Sequence, residues 1–239
     1  MVASLTVAAR APGRAAARPP GRRVLTALPT LAPGLLAPRL RPGPAPFPLG
    51  GAEVRRWYFA RNAVFAAARL LGLAGHEVLV PAYHHGVEVE ALAAAGAVPR
   101  FVRVDARMRL DLEHLERSIG PRTRALYVIH YLGFPQPLDA LLALARRRGL
   151  PLVEDCALAL LSRDGAAPLG SRGDAGVFCL YKSLPVPNGG VLALNRPHGP
   201  AGPARPAPLA STLSHAGGSL LAHLALRFGP PGAAVREAL

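Results

Sequence analysis

The chain has 239 residues, of which 51% are hydrophobic, and carries 28 basic against 14 acidic side chains for a formal charge of +14. That apolar fraction supports a sizeable core and excludes a wholly disordered chain. No uninterrupted apolar run reaches the roughly 18 residues of a membrane-spanning helix, and two cysteines, Cys156 and Cys179, make neither a disulfide framework nor a metal pattern, so a reduced cytoplasmic setting is expected.

In chain order, residues 1–52 come first, with seven Arg, no acidic residue and ten of the 26 prolines. This stretch imitates a targeting peptide but lacks its continuous apolar centre, so it reads as a poorly ordered lead-in at least to about Val24. A nucleic-acid face clusters cations and aromatics on folded elements; here the excess charge lies in a Pro-rich tail, and no specific nucleic-acid partner is expected. Asn62 is placed to cap a helix running to about Ala74. Glu77 to Val80 reads as a strand ending at Pro81. Gly86 to Ala95 reads as a helix closed by Gly96, with Glu88 and Glu90 as a solvated face. Pro99 to Val104 is a second strand. Asp111 caps a helix with Leu112, Leu115 and Ile119 on one side. Arg124 to His130 is a third strand. Pro137 opens a helix that ends in Arg146, Arg147, Arg148 and Gly149, the proline-first, cation-last, glycine-after pattern. Leu152 to Glu154, Ala175 to Leu180 and Gly190 to Leu194 complete six strands. Beyond them only Leu220 to Arg227 looks helical.

Strands alternating with helices imply an α/β fold, a three-layer α/β/α sandwich around a mostly parallel mixed sheet. Residues 53–198 form its folded unit, and 199–239 a Pro-rich tail. In such sheets the ligand crevice lies beyond the carboxyl ends of the strands. The segments to watch are Pro81 to Gly86, His130 to Gly133, Asp155 to Leu158, and Lys182.

Lys182 is the chain's single lysine; the other 27 basic residues are Arg. A composition bias toward Arg accounts for the ratio, and the surviving lysine then marks a place where Arg cannot serve. Arg stays protonated, whereas a lysine can become a neutral amine, the more so when partly buried. Asp155 is either a cap or the partner of a cationic ligand atom. Pro185, Pro187, Asn188, Gly189 and Gly190 make a turn through which backbone approaches a ligand closely. An aspartate for a pyridine nitrogen and a lysine for an imine are the two groups that pyridoxal phosphate chemistry most needs. His84 and His85 are adjacent rather than a helical turn apart, which argues against a metal site. His130 reads as a structural hydrogen-bonder.

The segments HEVLVPAYHHGVEVEALAAAGAVPRFVRVD, TRALYVIHYLGFPQPLDALLALARRRGLPLVEDCA and LGSRGDAGVFCLYKSLPVPNGG occur in order. Together they resemble the large domain of the DegT/DnrJ/StrS sugar aminotransferases, pyridoxal phosphate enzymes of fold type I. The resemblance implies that Lys182 forms the imine and that Asp155 meets the pyridine nitrogen. It places His85 where an aromatic stacks on the cofactor ring, Arg61, Asn62 and Ala63 in the phosphate turn, and Cys179 where a serine touches the phosphate. It further implies an amino-acid donor, a nucleotide-linked keto-sugar acceptor and a homodimer. Leu158 replaces a glutamine, Cys179 a serine and Asn188 an acidic residue of the family pattern. The family continues into a smaller C-terminal domain, so a truncated, non-catalytic cofactor-binding or assembly module is the alternative expectation.

Overall fold

The computed structural model describes residues 28–36, 43–51, 53–196 and 208–228; the lead-in to Val24 and the prolines at 200, 203 and 206 lie outside these. Among the described residues, nine strands and five α-helices follow in order: β1 (Val54–Trp57), α1 (Ala60–Leu70), β2 (Glu77–Pro81), α2 (Val87–Ala94), β3 (Val98–Val102), α3 (Leu112–Ser118), β4 (Thr123–Ile129), α4 (Leu138–Arg148), β5 (Leu152–Cys156), β6 (Arg163–Asp164), β7 (Ala167–Pro168), β8 (Ala175–Cys179), β9 (Gly190–Leu194) and α5 (Leu209–Phe228).

Seven strands make one sheet in the order β1-β9-β8-β5-β4-β2-β3. The pairings β2–β3, β2–β4, β4–β5 and β5–β8 are parallel, and β9 runs antiparallel to both β1 and β8. The central strands are apolar along both faces because helices cover both. Along β4, Ala125 and Tyr127 join the core beneath α1 and α2, while Leu126 and Val128 join the one beneath α3 and α4. The period-2 alternation of a strand thus builds both cores of the α/β/α sandwich from single stretches of sequence.

The helix signals act as expected in α3 and α4. The Asp111 carboxylate accepts the His114 N–H at 2.8 Å, and Gly149 takes the left-handed conformation after Arg148. Leu138, Leu141, Leu142 and Ala145 line the buried side of α4, and each leucine removed from water there contributes roughly 1.5–3 kcal/mol.

Other expectations are corrected. The cap residue of α1 is Phe59, and the Asn62 carboxamide reaches back to accept the Phe59 N–H at 3.1 Å. The helix ends at Leu70, short of Ala74. Strand β3 stops at Val102, with Val104 held by an isolated bridge to Leu110. Strand β5 continues through Asp155 to Cys156, and α5 begins eleven residues before Leu220. The glycine pair 189–190 serves packing between chain segments. Gly189 N–H donates to the Tyr58 carbonyl at 2.8 Å, and a Cβ on Gly190 would lie 2.1 Å from the Phe59 carbonyl oxygen. Only glycine lets β9 pass this close to the start of α1, which sets that helix end beside the strand ends.

Candidate active site

The strand ends enclose a cavity of about 490 Å³, lined by residues from all four segments singled out in the sequence. Tyr83 and His85 come from the β2 loop, His130 and Tyr131 from the β4 loop, Asp155 from β5, and Lys182 from the turn after β8. The rim is drawn together by Tyr131, whose hydroxyl donates to the Tyr83 carbonyl at 2.5 Å.

Asp155 is buried at the floor. Its Oδ1 accepts the Ala157 N–H at 2.9 Å and its Oδ2 accepts the Tyr127 hydroxyl at 2.6 Å. Burial pushes the carboxyl above its ordinary range, with Glu88 adding to the rise; Tyr127, the Ala157 N–H and Lys182 act against it. A buried carboxylate in this state gains most from a cationic N–H placed against it. Lys182 stands half-buried in the same wall.

Arg61 lines the cavity from the first turn of α1, its guanidinium 4.7 Å from the centre of the Phe59 ring. Phe59, Ala60 and Val64 line it as well. Asn62 is exposed and committed to its backbone bond with Phe59, and Ala63 is fully buried in the core; neither is among the lining residues. Of the three residues named from the sequence, Arg61 therefore reaches the cavity, flanked in the lining by Phe59 and Ala60 before it and Val64 after it. Cys179 is buried in the lining, and burial raises its thiol, so it is a neutral group there. Leu158, in the place of the pattern's glutamine, adds an apolar wall. Asn188 turns instead toward Thr212 of α5.

His85 reaches the cavity with its ring exposed, and His84 lines it too while stacking on Phe101 at 5.2 Å and 11°. Glu88 corrects the solvated-face reading. It is buried, lines the cavity and accepts the His85 N–H through Oε1 at 2.8 Å; Glu90 is exposed, as expected. Glu88, in the cavity lining, and Tyr127, buried behind Asp155, are the groups that the sequence pattern did not reveal. A glutamate two residues after Gly86, the residue preceding α2, was the available signal for the first.

His130 acts as a hydrogen-bonder. Its Nδ1 accepts the Gln136 N–H at 3.2 Å, which leaves the proton on Nε2 to meet Glu154 Oε2 at 3.0 Å. Glu154 also accepts the N–H groups of Gly170, Arg172 and Gly173. Burial pushes this carboxyl up, but the His130 bond and the Gly173 and Gly170 N–H groups outweigh burial and hold it below its ordinary range. Glu154 and its neighbour Asp155 point to opposite faces of β5, so one locks the segment from Gly170 to Gly173 while the other meets the cavity. Glu154→Gln is expected to cost about 1–2 kcal/mol of stability, measured by thermal unfolding. Because the carboxyl is held low, that loss is present above pH 4.5 and disappears as the pH falls through the folded-state midpoint.

The model of the DegT/DnrJ/EryC1/StrS aminotransferase family matches residues 60–199. The chain belongs to this family. The aminotransferases of this family depend on pyridoxal phosphate, and structures of the same fold are solved in pyridoxal phosphate and pyridoxamine phosphate forms. Among curated relatives, this DegT-family chain is 36% identical over 124 residues to UDP-N-acetyl-3-dehydro-α-D-glucosamine 3-aminotransferase of Acidithiobacillus ferrooxidans, covering 51% of the chain and 34% of the relative. It is 43% identical over 122 residues to L-glutamine:scyllo-inosose aminotransferase of Streptomyces griseus, covering 50% and 29%. Among solved structures it resembles the aminotransferase TlmJ of Streptoalloteichus hindustanus, with 35% identity, a TM-score of 0.56, and coverage of 60% of this chain and 40% of that one. The match thus spans about a third of each curated relative's length. No described helix is long and apolar enough to cross a membrane.

Proposed function

We propose that the cavity binds pyridoxal phosphate and that the protein transfers an amino group from an amino acid to a keto-sugar, with residues 53–198 as the cofactor-binding unit. The observation that carries this reading is the meeting of the buried strand-end carboxylate of Asp155 and the single lysine, Lys182, in one cavity at the strand ends. The residues fit the group. Asp155 offers a buried anion to the ring nitrogen, and Arg61 with the start of α1 offers positive charge to the phosphate. His85 provides a flat wall, and Cys179 a small neutral one. Pyridoxal phosphate, when bound, supplies the electron sink that lets an amino group leave one carbon and join another. Lys182 Nζ would hold the group and would move protons at the reacting carbon.

The names of the relatives support a cyclic ketone as acceptor: one names a nucleotide-linked dehydro-sugar and another an inosose. A nucleotide-linked keto-sugar with glutamate or glutamine as donor fits both the family and these names. A homodimer and a cytoplasmic role in polysaccharide building belong to the same reading. The test is uptake of pyridoxal phosphate by the full chain, followed by absorbance. A visible band that glutamate or glutamine bleaches and a keto-sugar restores is expected. A chain that stays colourless with excess cofactor overturns the reading. A band that no donor bleaches favours the cofactor-binding module without turnover.

A further inference from the structure

The core beneath α1 and α2 contains one large polar side chain that packing alone does not require, the Tyr127 phenol. Tyr127 pairs with Val153 in the β4–β5 register. Asp155 lies two residues beyond Val153 and so shares its face, within diagonal reach of a long side chain. The phenol is 1% exposed, and it donates to Asp155 Oδ2 at 2.6 Å. A phenylalanine would fill nearly the same volume without the hydroxyl.

We propose that Tyr127 is a positioning residue that keeps Asp155 ionised and aimed into the cavity. The groups around Asp155 make such a device necessary. Glu88 approaches from α2 with a second negative charge and pushes the Asp155 carboxyl up, in addition to burial. On the other side stand Lys182, from the turn after β8, and the Ala157 N–H, which favour the charged form. Tyr131 adds a phenol at the rim, donated to Tyr83, and Cys156 and Cys179 contribute buried thiols. His130 and Glu154 are occupied with each other behind the strand. Burial and the neighbouring carboxylate hold the Tyr127 phenol well above its ordinary range, so it stays a donor at every working pH. Tyr127 is therefore a fixed donor opposing two effects that would protonate Asp155. A protonated Asp155 would lose its attraction for a cationic ring N–H.

The inference rests on the cavity being a pyridoxal phosphate site, and the two can be tested apart. In the cofactor-free full chain, the Asp155 carboxyl is titrated by carbon-13 NMR with labelled aspartate, and Asp155→Asn assigns its signal. Tyr127→Phe is expected to raise the Asp155 midpoint by roughly one to two pH units and to weaken pyridoxal phosphate binding several-fold at neutral pH. Val153→Ala, which loosens the same face without touching the hydroxyl, is expected to leave the midpoint in place. Should Tyr127→Phe fail to fold, 3-fluorotyrosine at position 127, a stronger donor, is expected to lower the midpoint. An Asp155 midpoint that ignores Tyr127→Phe or the fluorinated residue overturns the proposal, as does an equal shift in Val153→Ala. A wild-type chain that binds no pyridoxal phosphate sinks the functional reading instead, while the midpoints still decide whether Tyr127 governs Asp155.

Discussion

Borohydride treatment of the cofactor-loaded protein is expected to fix the pyridoxyl group to Lys182, and Lys182→Ala to abolish both the label and the visible band. The chain makes this test unusually clean. Its basic residues are 27 Arg and this one Lys, so no second side-chain amine competes for the cofactor. Lys182→Arg is the informative companion. It keeps a positive charge facing Asp155 but offers a guanidinium, which neither loses its proton nor forms the covalent link. If Lys182 served only as a counter-charge, Lys182→Arg would retain the band and most of the affinity. With Lys182 as attachment point and proton carrier, both variants lose transfer activity by about 10²–10⁴-fold. Recovery of the label on the α-amino group, or its persistence in Lys182→Ala, counts against the assignment.

Much of this arrangement was legible in the sequence because it follows from chain direction. Parallel strands send their carboxyl ends to one edge, so Tyr83, His130, Asp155 and Lys182 had to gather there once the alternation of strands and helices was read. Helix ends with chemical markers were equally plain, as Asp111 and Gly149 show. Elements without a periodic apolar signature escaped. Strand β1 reads Val-Arg-Arg-Trp and carries charge on the sheet's edge, and β6 and β7 have two residues each. In α5, Gly217 and Gly218 break the helical signal in the middle of a helix that continues through them.

The site residues that escaped did so for a different reason. Composition and period say whether a side chain is polar, not which polar group it meets. Glu88 looks like any helix-surface glutamate until the loop before α2 folds back and offers it the His85 N–H. Tyr127 looks like an ordinary core aromatic until the β4–β5 register brings its hydroxyl to Asp155. Asn62 was a reasonable cap by residue type, yet the chain turns at Phe59 and uses the carboxamide from three residues inside the helix. Each is a pairing across sequence, decided by register or loop path rather than by local pattern.

Asp155→Asn separates what the site does for binding from what it does for folding. Burial holds the Asp155 carboxyl above its unfolded value of 3.8, so ionising it costs more within the cofactor-free fold than in the unfolded chain. Below pH 3.8 the folded and unfolded carboxyls are both protonated, and the penalty is absent. As the pH rises through the raised folded-state midpoint, the penalty develops in full. The uncharged amide avoids it and can still accept the Tyr127 hydroxyl. At neutral pH the cofactor-free Asn variant is therefore expected to be more stable than wild type, with the advantage fading toward acid. The same change is expected to weaken pyridoxal phosphate binding about 100-fold, because a charge-assisted bond to the ring nitrogen is lost. Thermal unfolding across pH and a cofactor titration read the two effects independently. A stabilised chain with poor cofactor affinity means that the strain of burying Asp155 is tolerated for the sake of its ligand. An Asn variant that binds as tightly as wild type would instead reduce Asp155 to a structural turn residue, held only by Ala157 and Tyr127.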